Sequence, residues 1–275
     1  MGGGVTTVRG CDYAWDRPPI PALRAAGCAF AGRYLSNDST KNLDPAETRA
    51  LLAAGISIVT VWESTAQAML RGYPGGVADA QEADRQVRVC GMADAVIYFA
   101  ADWDATTAQQ AQINSYLDGA ASVIGRGWTG MYGGFWPIVR ARAAGKASWW
   151  WGTVAWSGSN WDTCGWQPHI MQTAPPCTIG GVSCDWDTAN FADFGQWPRP
   201  APSEEEDDMF MVTVEAASVP AGKPWPGTFL LFGDGTLGHI SPASATTNNV
   251  TSYQAAGIKG PVTITYQEYL ARGGK

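Results

Sequence analysis

Residues 7–156 alternate between short apolar runs and segments whose apolar positions recur every three or four residues. That pattern confines the chain to the α/β class, because the runs read as strands and the recurring segments as helices covering them. Strands are expected at 7–12, 28–35, 56–62, 96–101, 129–133 and 149–156. Helices are expected at 22–26 and 44–55, after a Gly-rich loop at 72–76, after Thr106 or Thr107, and at 138–144. Asp44-Pro45-Ala46-Glu47 predicts the clearest helix start, with Asp44 as cap, Pro45 in the first turn and Glu47 completing a capping box. Beyond Ser157 the helices fade, and short strands fit at 169–173 and 182–186. About eight strands favour an irregular (β/α)8 TIM-like barrel, its last helices degenerate, over an open sheet.

The fourth run carries the most chemistry. Val96-Ile97-Tyr98-Phe99-Ala100-Ala101-Asp102-Trp103-Asp104 passes from continuous apolar residues to two carboxylates with one residue between them. A strand buried on both faces reads this way, and the C-terminal ends of barrel strands are where that architecture does its chemistry. Asp12, Glu63, Asp185 and Asp187 lie at other expected strand ends, so the acids converge on one face. Glycoside hydrolysis needs a protonated acid beside the leaving oxygen and a second group as nucleophile, base or charge stabiliser. Crowding supplies the first, since like-charge repulsion raises one carboxyl's pKa. Helix capping and surface ion pairing are the structural alternatives, and they are strongest for Asp104 and Asp187, each of which could start the segment after it.

Composition narrows the partner. A formal net charge of -7 argues against a nucleic-acid backbone. Fourteen Trp hint at carbohydrate, whose apolar faces stack on aromatic rings, with core packing as the alternative. Trp62, Trp103, Trp156 and Trp186 stand beside strand ends and are the stacking candidates. No stretch is long and apolar enough to span a bilayer, and the first residues lack the basic and apolar regions of a signal peptide. Release at lysis, incorporation into a particle, or export by another route all fit that N-terminus, with action at the cell wall. Six Cys without a Cys-x-x-Cys pair, together with two His, make zinc improbable. No Asp-x-Asp-x-Asp-Gly loop suggests calcium. No cofactor is expected. Cys11, Cys28 and Cys90 read as small core residues; Cys164, Cys177 and Cys184 crowd one region where a disulfide could form outside a cytosol.

Gly10-Cys11-Asp12-Tyr13, Gly32-Arg33-Tyr34-Leu35, Val61-Trp62-Glu63, Tyr98 to Asp104, Gly130-Met131-Tyr132-Gly133 and Gln172 followed by Cys184-Asp185-Trp186-Asp187 occur in this order. Together they resemble the glycoside-hydrolase-like domain family, long labelled a domain of unknown function, which is similar in turn to the family-25 lysozymes. The resemblance spans roughly residues 5 to 197. It implies an irregular β/α barrel and a peptidoglycan-directed cleft. In the lysozymes an Asp-x-Glu pair ends the fourth strand and its Glu is the acid. Matched by position, Asp102 corresponds to the Asp of the pair, Asp12 to a first-strand Asp, and Asp185 or Asp187 to a late one. Tyr34, Tyr132 and Gln172, within these motifs, join Trp62 and Trp156 as expected substrate-binding residues. Where the lysozymes have Glu this chain has Asp104, one methylene shorter, and a misplacement near 1 Å costs about a hundredfold in rate. Either Asp104 serves with a shifted substrate, or Glu63 supplies the acid.

Trp197 to Asp208 is rich in Pro and acid, which predicts a linker at 198–208 between a barrel at 1–197 and a small β-rich module at 209–275. Within that module 210–214, 228–232, 236–240 and 262–266 read as strands, with Gly233-Asp234-Gly235 as a hairpin turn. The module resembles C-terminal extensions of such domains, with a wall polymer or a phage or particle scaffold as its expected partner. Two functions follow for the whole: a cell-wall glycan hydrolase of endolysin or virion-associated type, or an inactive glycan-binding or structural module.

Overall fold

The computed structural model describes residues 7–200 and four later strands, 210–214, 228–231, 237–240 and 259–264. The chain divides into two compact units between Pro200 and Ala201. In the first, eight strands close a barrel in sequence order. They are β1 (Val8–Tyr13), β2 (Phe30–Leu35), β3 (Ser57–Trp62), β4 (Ile97–Ala101), β5 (Thr129–Gly133), β6 (Trp149–Thr153), β7 (Ile170–Ile179) and β8 (Val182–Ala189). Helices α1 (Ile20–Ala25), α2 (Pro45–Ala53), α3 (Gly72–Val89), α4 (Gln110–Ile124) and α5 (Phe135–Ala143) follow the first five strands, and α6 (Asn160–Thr163) is a single turn.

Strands β1 to β7 run parallel, whereas β8 is antiparallel to both β7 and β1. The regular (β/α)8 pattern expected of a TIM-like barrel therefore stops at the seventh strand. The reason is local: Gly180 and Gly181, at φ 58° and 90°, turn β7 straight back into β8. A two-residue hairpin returns antiparallel, while a parallel return needs a crossover of a dozen or more residues.

Strand alternation sorts the core into two layers. Cys11, Tyr13, Ala31, Leu35, Ile58, Trp62, Ile97, Phe99 and Met131 face outward and pack under the helices. Phe30, Val59, Val61, Val96, Tyr98, Tyr132 and Trp151 fill the barrel's interior. At the N-terminal end of the barrel, Phe194 packs on Phe30 at 4.8 Å between ring centroids and its carbonyl accepts from Tyr98 Oη at 2.7 Å. Trp197 exchanges two backbone hydrogen bonds with Ile58 at 2.7 and 2.8 Å. Arg199, expected in the linker, instead pairs with Asp193 and lies over Trp128 and Trp149. Its guanidinium finds aromatic faces there, so the chain remains attached to the barrel beyond Trp197.

Two other expectations change. The Gly-rich segment 72–76 is not a loop but the start of α3. A Cβ on Gly76 would lie 1.9 Å from the Tyr116 carbonyl oxygen, and one on Gly119 2.2 Å from that of Tyr73, so glycine here permits α3 and α4 to touch backbone to backbone. Asp44 caps α2 through Ala46 N–H and Glu47 N–H at 2.8 and 2.9 Å, but the Glu47 side chain leaves the capping box for Arg33.

The second unit contributes a four-stranded sheet in the order β11 (Leu237–Ile240), β10 (Thr228–Leu231), β9 (Phe210–Val214), β12 (Lys259–Ile264). Strands β9, β10 and β11 pair antiparallel and β12 is parallel to β9. The expected turn at Gly233-Asp234-Gly235 and residues 201–208 of the expected linker lie outside the described residues. No helix among the described residues is long and apolar enough to cross a membrane.

Candidate active site

Three of the motifs share one construction, Gly-x-Asp or Gly-x-Tyr, and the barrel explains it. Gly10, Gly32 and Gly130 face inward, where a Cβ would lie 2.5 Å from the Phe30 ring, 2.6 Å from Trp151 and 2.7 Å from Tyr98 respectively. Each glycine makes room for an aromatic that fills the barrel. The next inward residue, two positions on, is then Asp12, Tyr34 or Tyr132, and it reaches the mouth.

Asp12 sits at the centre of the floor, 3% exposed. Its Oδ1 accepts from Tyr34 Oη at 3.1 Å and its Oδ2 from Gln172 Nε2 at 2.7 Å, while Gln172 Oε1 accepts from Tyr132 Oη at 2.7 Å. Asp187, fully buried, accepts from Trp151 Nε1 through Oδ1 at 2.9 Å, and its Oδ2 has no donor among the described groups. The two carboxyls are near neighbours. Burial, opposed by the Gln172 hydrogen bond, pushes Asp12 up to about 7. Burial and then the Asp12 charge push Asp187 well above the usual carboxylate range. A proton on Asp187 directed at Asp12 satisfies both groups, since two bare carboxylates in contact repel.

Above this floor a cleft of about 500 Å³ opens, lined by Glu63, Asp102 and Asp185 together with Tyr34, Tyr132, Gln172 and Trp156. Asp185 is the direct cross-strand partner of Asp12, so β8 contributes to the mouth despite its reversed direction. Burial, then the neighbouring Glu63 charge, raises the pKa of Asp102, with Lys41 opposing. Burial also raises that of Asp185. Glu63 carries its charge against Lys41 Nζ at 2.8 Å. Lys41 is buried, with Tyr34 on one side at 5.0 Å.

Not every expected residue arrives here. Asp104 is exposed and does not line the cleft: β4 ends at Ala101, so the two-residue alternation that would set it beside Asp102 does not continue that far. Trp62 faces outward into the layer under the helices. Trp103 is buried against Gln109, which accepts from its Nε1 at 3.1 Å, and Trp186 packs beneath Arg9. Of the four stacking candidates, Trp156 alone lines the cleft. It is 43% exposed at φ 56°, a conformation costly for a non-glycine residue. Ser157 holds it there: its Oγ donates to the Thr153 carbonyl at 2.7 Å and accepts from Phe135 N–H at 3.0 Å. Sequence reasoning missed Lys41 and Ser157, which act from loops with no periodic signature. No group of three or more His, Cys, Asp or Glu among the described residues is arranged to hold a metal ion.

The sequence model of the Rv2525c-like, glycoside hydrolase-like domain matches residues 21–185. The chain belongs to that family. Two crystal structures of the Mycobacterium tuberculosis Tat-secreted protein Rv2525c, in complex with HEPES and with L-tartrate, superpose with TM-score 0.63 at 28% identity. Each match covers 70% of this chain and 100% of the other. Structural neighbours also include endolysins and family-25 lysozymes. The catalytic domain of endolysin ply40 from Listeria monocytogenes bacteriophage P40 matches with TM-score 0.48 and 13% identity, over 68% of this chain and 95% of that one. A family-25 glycosyl hydrolase from Bacillus anthracis matches with TM-score 0.43 and 11% identity, over 66% and 88%. No curated protein matches the chain. As a member of the Rv2525c-like family the protein is a glycoside hydrolase-like domain, and its acids occupy the mouth of that domain's barrel.

Proposed function

We propose that the cleft binds the glycan of bacterial peptidoglycan and cleaves a glycosidic bond in it, with Asp102 as proton donor. The observation that carries this reading is the grouping of Asp102, Glu63 and Asp185 around one aromatic-walled cleft. Asp102 has its pKa raised by burial and the Glu63 charge, the direction that favours a proton donor. Glu63, set against Lys41, is the charge that faces a developing oxocarbenium ion. Asp185, lining the same cleft, serves in this reading as the second carboxylate, to activate water. The Asp12–Asp187 pair beneath fixes Tyr34, Gln172 and Tyr132 as hydrogen-bonding groups for sugar hydroxyls. Trp156 offers a stacking face. The reaction draws on protein groups alone.

One observation favours a second reading, a binding module without turnover. The position matching the lysozyme acid is Asp104, and its side chain stands outside the cleft. Purified peptidoglycan separates the two readings. Release of new reducing ends, lost in Asp102→Asn and retained in Asp104→Asn, supports hydrolysis; saturable binding with no release on long incubation supports the module. Secretion of the Mycobacterium tuberculosis relative supports action outside the cytoplasm, at the wall.

A further inference from the structure

Asp185, at the mouth, borders two depressions. Beside the main cleft lies a second of about 280 Å³, lined by Asp12, Tyr34 and Asp185, which it shares with the cleft or its floor, and by Trp15 and Asp16 of the β1–α1 loop. Asp185 and Tyr34 therefore border both lobes, while Glu63 and Asp102 line the first. Trp156 flanks the first lobe and Trp15 the second.

Trp15 is 63% exposed, the most exposed of the large apolar side chains among the described residues. Exposure of one indole is ordinary; what marks this one is that it is held in place at the edge of a depression. Its Nε1 donates to Asp38 Oδ2 at 3.2 Å, across from the β2–α2 loop. Asp38 is itself fixed: Oδ1 accepts from Thr40 Oγ1 and Thr40 N–H at 2.6 and 3.0 Å, and these bonds hold its carboxyl below the usual range. Lys41 Nζ lies 5.9 Å from the Trp15 ring and 2.8 Å from Glu63, so the indole stands within one sugar's reach of the acids. Two loops thus hold a flat apolar face in the second lobe, as Trp156 offers one in the first.

Resting on the glycan reading above, we infer that Trp15 is the platform of a second sugar subsite. The ligand is an internal stretch of a glycan strand that crosses the carboxylates, with rings stacked on Trp15 at one side and on Trp156 at the other. A single disaccharide fills one lobe only; a longer strand engages both, so affinity rises with length.

The test uses peptide-free peptidoglycan strands of two and of eight sugars, titrated calorimetrically against the full chain. The wild type is expected to bind the longer strand more tightly. Trp15→Ala should weaken the longer strand about tenfold, the worth of one stacked ring, and leave the disaccharide unchanged. Trp15→Phe, which keeps a stacking face, should restore most of the loss, and an unaltered melting temperature excludes misfolding. If Trp156→Ala weakens both strands while Trp15→Ala weakens neither, the second subsite is overturned and the glycan reading stands. If the wild type binds neither strand, both fall.

Discussion

Two buried charge centres lie back to back on β1 and β2, and they are built on opposite terms. Outside the barrel, Arg33 is fully buried and its guanidinium meets Glu47 Oε1 and Oε2 at 2.7 and 3.1 Å, the Tyr13 carbonyl, and the Lys41 carbonyl at 3.3 Å. Tyr13 Oη and Arg17 Nε complete the Glu47 carboxylate at 3.1 and 2.7 Å. Inside, one residue away on β1, Asp12 faces Asp187; among the described residues no cation touches either, and one Asp187 oxygen has no donor. The outer centre is saturated with opposite charge and joins α2 to the sheet. The inner one sets like against like and lies under the cleft. A buried charge with every partner present reads as structure; a buried pair that must hold a proton reads as function.

The largest expected effect tests the outer centre. Glu47→Ala leaves Arg33 buried without its counter-charge and should cost about 3–5 kcal/mol in urea unfolding. A loss under about 1 kcal/mol would mean that water reaches Arg33 and that the two centres do not differ in kind.

The inner centre predicts a pH effect. Folded Asp12 and Asp187 keep protons that the unfolded chain releases from about pH 4 upward, so their contribution to stability falls as pH rises, for Asp12 through about 7. Asp187→Asn supplies a permanent donor to Asp12 and removes one titration. It should match the wild type near pH 4 and exceed it at pH 8, read from melting temperatures across that range. A variant less stable than the wild type at pH 8 would show that Asp187 is ionised and stabilising.

The smallest effect is expected at Asp104. Exposed and outside the cleft, it should tolerate Asn with stability changed by less than about 0.5 kcal/mol and glycan binding unaltered. Loss of binding in that variant would move the site's centre.

Much of this was legible from the sequence because periodicity reports burial. The apolar runs and the C-terminal acids placed the strands and brought Asp12, Glu63, Asp102 and Asp185 to one mouth. The hairpin that reverses β8 is signalled by Gly180-Gly181, but sequence reasoning missed it, because an expected strand ending at 173 leaves the pair outside any strand–turn–strand frame. Glycines misled at 72–76, where they mark helix contact rather than a turn; only the opposing backbone of α4 distinguishes the two. The tryptophans were ambiguous for a similar reason. A Trp at a strand end points in or out by one residue of register, which sends Trp62 to the helix layer. Lys41, Ser157 and Trp15 lie on loops, whose geometry depends on partners distant in sequence: Glu63, Phe135 and Asp38.

The central claim is that the chemistry belongs to Asp102 and not to the motif position Asp104. Release of reducing ends from purified peptidoglycan tests it directly. The account predicts release by the wild type and by Asp104→Asn, and a loss of about a hundredfold or more in Asp102→Asn with binding retained. Release undiminished in Asp102→Asn, or abolished in Asp104→Asn, would contradict it.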